Sequence, residues 1–184
     1  FVPKSRIEQI KDSIKTSFQK EGIKVIGVLP EERTLLGVSV GELAKALDGE
    51  IVTRPEAEGE IIENIMLGAM SPDPATDYFE RKANKAAVIR GERADMQLAA
   101  LRTSTKCLVL TDNVSPSPII LNEAEIKQVP IIVVKQNIVS TIAGIEEALR
   151  QTKFRSLKKL EKFSQILEEY FDFQTLYHEL GLKT

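Results

Sequence analysis

With 184 residues the chain is long enough for one good core, or for a domain of ~130 residues with an appended element. Its 42% hydrophobic and 28% charged residues are ordinary for a globular protein, and a net charge of −2 lacks the basic excess that accompanies nucleic-acid binding. No apolar run approaches the ~20 residues that cross a bilayer and no signal peptide is visible; a lone cysteine, Cys107, cannot close an intramolecular disulfide, so a reducing, cytoplasmic setting without nucleic-acid or membrane partners is expected.

In chain order, Phe1-Val2-Pro3 reads as a cut through a longer protein. Ser5 to Gly22 places Ile7, Ile10, Ile14 and Phe18 on one helix face, with Ser5 and Glu8 as a capping box and Gly22 as the stop. Ile23 to Leu29 predicts a buried strand ended by Pro30, and residues 31–38 a loop. A short helix follows over Val40 to Leu47, capped by Ser39 and closed by Gly49, then a strand over Glu50 to Thr53. The polar run Arg54-Pro55-Glu56-Ala57-Glu58-Gly59 is the main expected boundary.

Beyond it the second half of Ile61 to Met70 reads as strand, and Pro74 opens a helix through Lys82. Strands are expected at 86–89, 106–110 and 131–134, alternating with helices at 95–101, 119–128 and 139–149. Continuous apolar strands between helices argue for an α/β fold, a mostly parallel sheet with helices on both faces. Arg155 to Leu180 predicts a long amphipathic helix whose stripe is Leu157, Leu160, Phe163, Leu167, Tyr170 and Phe171. Packing on the chain's own sheet and packing on a partner helix both remain open for it.

Catalytic chemistry has little to work with. One His, one Cys and no Trp exclude the usual zinc site, and a nucleophile–His arrangement would have to use His178, read here as a surface residue of the last helix. No catalytic residue, metal or cofactor is assigned. Asp73, Asp77 and Glu80 fit helix N-terminal acids better than metal ligands, and Cys107 fits an inert buried thiol.

Four loops are candidates for binding. One is Gly27-Val28-Leu29-Pro30-Glu31-Glu32-Arg33 with Ser39 to Leu43 behind it. The others follow successive strands: Leu67 to Ser71 with Gly68 and Ser71, Ile89 to Asp95 with Gly91, Glu92, Arg93 and Asp95, and Leu110 to Val114 with Thr111, Asp112 and Asn113. In a parallel sheet neighbouring strand C-termini lie side by side, so these last three loops are expected to converge. Arg90 and Arg93 suit a phosphate or carboxylate, and Asp95 is the expected helix cap.

The Gly-Val-Leu-Pro turn at 27–30 and the Ser-Val-Gly-Glu-Leu helix start at 39–43 resemble the tail of dethiobiotin-synthetase-like and cobyrinic acid a,c-diamide synthase-like P-loop proteins. Such domains bind ATP through a Walker A loop, and no G-x-x-x-x-G-K-[ST] occurs in these residues. Gly-Ala-Met-Ser at 68–71, Gly-Glu-Arg-Ala at 91–94 and Leu-Thr-Asp-Asn at 110–113 resemble the DRTGG domain found in some phosphate acetyltransferases, similar in fold to the N-terminal domain of HPr kinase. The family's Asp-Arg-Thr stands here as Glu92-Arg93-Ala94 and its Gly-Gly as Asp112-Asn113.

The resemblance implies a P-loop-type remnant over 1–53, a regulatory DRTGG-like domain over 60–150 and an amphipathic helix over 151–184. It further implies a non-catalytic module that forms a homodimer, accompanies a P-loop-like domain and senses a nucleotide or small anionic metabolite. A pure assembly module, or part of an ATP-dependent amidase or ligase, are the rival expectations.

Overall fold

The computed structural model describes residues 2–69, 75–151 and 156–182. In chain order the elements are α1 (Ile7–Gln19), α2 (Arg33–Leu36), β1 (Val38–Ser39), α3 (Val40–Ala46), β2 (Glu50–Thr53), β3 (Ile61–Ile62), β4 (Asn64–Leu67), α4 (Ala75–Glu80), β5 (Lys85–Arg90), α5 (Ala94–Leu101), β6 (Thr105–Thr111), α6 (Pro118–Lys127), β7 (Ile131–Val133), α7 (Ile138–Arg150), α8 (Leu157–Tyr170) and α9 (Phe173–Glu179). They form two compact units, Leu36–Ser156 and Phe1–Leu35 with Leu157–Thr184.

The larger unit is built on a five-stranded sheet in the order β2-β7-β6-β5-β4. β4 to β7 run parallel, and β2 closes one edge antiparallel to β7. Side chains alternate along each strand, so β5 sends Ala87 and Ile89 to one face and Ala86 and Val88 to the other. The first face is covered by α4, α5 and α6 through Phe79, Met96, Leu101 and Ile120. The second is covered by α3 and α7 through Leu43, Leu47 and Ile145, together with the small β1–β3 pair. Burial on both faces explains why the central strands read as unbroken apolar runs.

The expected boundary at 54–59 is corrected here. Pro55–Gly59 is a single 3-10 turn inside the larger unit, because the elements on both sides serve the same core. Leu43, Ala44 and Leu47 of α3 pack with Ile132, Val134 and Ile145, and β2 takes a ladder position beside β7. The chain therefore changes unit at 35/36 and again at 156/157. Ser39 caps α3 as expected: its Oγ accepts the Glu42 N–H at 3.1 Å, and the Glu42 carboxylate accepts the Ser39 N–H at 3.0 Å.

Three further corrections concern the smaller unit. Residues 23–29 do not form a strand, since a strand needs a ladder; their links are isolated bridges at Gly27 with Phe171 and at Pro30 with Val2. The Ser5–Glu8 box is not made: a 3-10 turn over Lys4–Arg6 leads into α1, which Arg6 begins without a side-chain cap. The stop at Gly22 does form, at φ +76, with the Ile23 N–H bonded to the Phe18 carbonyl at 2.9 Å.

The single long C-terminal helix is two. It breaks at Phe171, which bridges to Gly27, and Asp172 restarts it by accepting the Thr175 N–H at 2.9 Å. The buried face of α8 also shifts from the expected stripe. Lys159 and Ile166 are its buried residues, whereas Leu157 and Leu160 are 76% and 52% exposed. Residues 31–38, expected as loop, hold α2 and β1. The helix opening predicted at Pro74 lies outside the described residues; α4 is helical from Ala75.

Candidate functional site

Because β4, β5 and β6 are adjacent and parallel, their C-terminal ends share one edge of the sheet. The register pairs Leu67 with Val88 and Arg90 with Thr111, which brings Gly68, Gly91 to Asp95, and Thr111 to Asn113 to that edge. Ser71 lies outside the described residues. This is where open α/β sheets place their ligands.

The loop after β5 is held from below. Gln97 of α5, 1% exposed, donates from Nε2 to the Gly91 carbonyl at 2.9 Å. Above, Gly91 meets the loop after β6 so closely that a β-carbon there would stand 2.3 Å from Val114 Cβ. A β-carbon on Gly68 would point inward instead, 2.7 Å from Ile89 Cγ1 and 3.3 Å from the Phe79 ring. At both glycines the space a side chain would fill is already taken by protein atoms.

Arg93 is the N-terminal flank of α5, and Asp95 does not cap that helix as expected. The helix begins one residue earlier, at Ala94, so Asp95 lies inside its first turn. The Arg93 guanidinium forks onto the Asp95 carboxylate, Nε to Oδ1 at 3.0 Å and Nη2 to Oδ2 at 2.8 Å. The bond from Arg93 holds the Asp95 carboxyl below the usual carboxylate range. Arg90 pairs with Glu92 through a single contact, Nη2 to Oε1. Both cations of this loop thus have a carboxylate within a few residues.

The loop after β6 turns through two left-handed residues, Asp112 at φ 66 and Asn113 at φ 56. Asp and Asn tolerate that region better than other non-glycine residues. The turn is pinned to the loop after β7, Asp112 N–H to the Gln136 carbonyl and Asn113 N–H to the Val134 carbonyl, each at 2.9 Å. Thr111, fully buried, donates its hydroxyl to Asp112 Oδ2 at 2.6 Å. Gln136 reaches the Leu47 carbonyl with Nε2 at 3.1 Å, while its Oε1 is buried without a hydrogen-bond partner among the described residues.

Gln97 and Gln136 were not singled out from sequence. A glutamine inside a helix or loop carries no spacing signal, and only the fold shows which carbonyl it meets. Of the remaining candidates, the loop 27–33 belongs to the other compact unit. There Lys4 pairs with Glu32 at 2.7 Å. Cys107 is fully buried, and burial pushes its thiol up, which leaves it unreactive. The His178 side chain is 87% exposed. Among the described residues no group of three or more His, Cys, Asp or Glu is placed to hold a metal, and no helix is long and apolar enough to cross a membrane.

Residues 42–148, more than half of the chain, match the family described as the DRTGG domain. Among solved structures the chain is similar to the CBS and DRTGG domains of the regulatory region of Clostridium perfringens pyrophosphatase, crystallised with the activator diadenosine tetraphosphate. Identity is 15% and the TM-score 0.55, a likeness of fold. It covers 64% of this chain and 51% of that one, so this chain spans about half of the regulatory region it matches.

Proposed function

The chain belongs to the DRTGG domain family, and from that membership we propose that it is a non-catalytic regulatory module that senses a small ligand and forms a homodimer. The ligand class is a nucleotide or a small anionic metabolite, and the parent protein a cytoplasmic phosphate-acetyltransferase-like or cobyrinic acid synthase-like enzyme. The smaller unit's Gly-Val-Leu-Pro turn at 27–30 is read as part of the tail of its P-loop-like domain. The solved relative's complex with a nucleotide activator supports the sensing reading.

One structural observation carries the proposal of a site: three strand ends converge on one edge, where Arg93 is the cation nearest the helix α5 N-terminus and Thr111 to Asn113 form the facing turn. Glu92, Asp95 and Asp112 share that edge, so an arriving anion must take Arg93 from Asp95. That exchange, which would free the start of α5, is the switch we assign to the module. A thermal-shift screen of adenine nucleotides, acyl-phosphates and central metabolites tests it. Saturation at 100 times Kd is expected to add about 2.7 kcal/mol, a shift of several degrees that Arg93→Ala abolishes. A shift unchanged in Arg93→Ala removes this edge from the account.

The homodimer is supported by the exposure of Leu157 and Leu160, two large apolar side chains near the start of α8. Leu157→Glu with Leu160→Glu should turn a dimer into a monomer in light scattering. An unchanged mass places the contact elsewhere.

A further inference from the structure

The edge of the sheet opposite the site above carries a cleft of about 560 Å³. Its walls are the turn after β2, the residue before β5, and the connections from α5 to β6 and from α6 to β7, all within the larger unit. The volume falls within the ~300–1,000 Å³ of small-molecule sites. Three cations, Arg54, Lys106 and Lys127, line it together with two acids, Glu56 and Glu60. Arg54 pairs with Glu56, and Lys106 with Glu60 at 3.0 Å. Lys127 has no ion-pair partner among the described residues.

A fourth cation stands behind the wall. Lys85, fully buried, bonds through Nζ to the carbonyl of Ser104 at 2.9 Å, and Ser104 itself lines the cleft. An ammonium has three donors to place, and that neutral carbonyl is its one hydrogen-bond acceptor among the described residues. Among the side chains that line the cleft, three cations therefore face two carboxylates. The C-termini of α5 and α6 bring partial negative charge to the same edge, and part of it is taken up by bonds to the carbonyls of their last turns. Ala100 O accepts the Thr103 and Thr105 hydroxyls at 2.8 and 2.7 Å, and Ala124 O accepts the Val129 N–H at 2.8 Å. These two carbonyls are thus already bonded, and the lining side chains carry a positive excess of one.

We propose that this cleft binds a small polyanion of the oligophosphate class, held by Lys106 and Lys127 with Arg54 at its rim. The site is independent of the Arg93 edge and goes beyond the reading given above. Glu60 competes with the ligand for Lys106, which gives the proposal a signature of its own.

Calorimetric titration of the whole chain with inorganic tripolyphosphate, with citrate as comparator, provides the test. Each lysine replaced in Lys106→Gln with Lys127→Gln should cost roughly tenfold in affinity, since about 1.4 kcal/mol per contact is one decade. Glu60→Gln should tighten binding, and the component of the titration lost in the double lysine variant should persist in Arg93→Ala. These are surface substitutions, and an unaltered melting temperature confirms that each variant is folded. The proposal is overturned if the parent chain takes up no tripolyphosphate, if citrate binds and tripolyphosphate does not, or if the double lysine variant binds equally well. Weaker binding in Glu60→Gln would likewise overturn it, since Glu60 would then not compete with the ligand for Lys106. If Arg93→Ala alone abolishes binding, the ligand sits at the opposite edge, and this inference fails while the first reading stands.

Discussion

Replacing Lys85 by Met should stabilise the protein at neutral pH. The ammonium is fully buried against a carbonyl, and burial lowers its pKa from 10.5 to about 8. At 1.36 kcal/mol per pKa unit, keeping the charged form inside costs the fold about 3 kcal/mol. Loss of the bond to Ser104 O takes back about 1 kcal/mol, so Lys85→Met is expected to gain about 2 kcal/mol at pH 7. The sign with pH follows from proton counts. Between pH 8 and 10.5 the unfolded chain holds the extra proton, so the parent gains stability as pH rises through that window and the gap to Lys85→Met closes. Urea denaturation of both proteins at pH 7 and pH 10 reads this directly, with the other titrating groups cancelling in the difference. A variant less stable than the parent at pH 7, or a gap that does not change with pH, would refute the reasoning.

The other predictions are local. Ser39→Ala removes the hydroxyl that accepts the Glu42 N–H and should cost about 1 kcal/mol in chemical denaturation. Gly91→Ala puts a methyl 2.3 Å from Val114 Cβ and should destabilise by about 1–3 kcal/mol, with Val114→Ala in the same chain restoring part of the loss. At Asn113, left-handed at φ 56, substitution by Val should cost about 1–2 kcal/mol while Gly is tolerated, as melting temperatures would show. Cys107 should resist thiol reagents in native buffer and react fully in denaturant.

Much of the larger unit was legible because its signals are local and repeated. The runs at 86–89 and 107–110 are apolar at every position, as strands covered on both faces require, and that is where β5 and β6 lie. The cap at Ser39 was legible because Glu42 stands three residues on. The same pattern at Ser5 and Glu8 misled, since a Pro3-led 3-10 turn already supplies the entry to α1. Residues 23–29 misled more deeply. Their composition is that of a strand, but a strand is a property of pairs, and among the described residues the bridges at this stretch are single ones, from Gly27 to Phe171 and from Pro30 to Val2. The polar run at 54–59 looked like a linker because a solvated turn and a domain boundary share a composition.

At the site, the convergence of the strand ends followed from parallel topology, whereas the pairing of Arg93 with Asp95 did not. Two residues apart, those side chains would normally be expected to point apart, and only the geometry of the α5 entry brings them together. The cleft at the other edge had no sequence signal at all. Arg54, Lys106 and Lys127 come from three separate connections, and nothing short of the fold places them together.

The central claim is that the edge holding Arg93 and Thr111 is a ligand-sensing surface. Amide NMR of the whole chain, titrated with ATP and with diadenosine tetraphosphate, tests it most directly. The account predicts saturable shifts at Gly68, Gly91 to Asp95 and Thr111 to Asn113 that Arg93→Ala removes, with the Arg93 Nε–H signal moving as its bond to Asp95 is released. Spectra in which those amides stay fixed at millimolar ligand would contradict it.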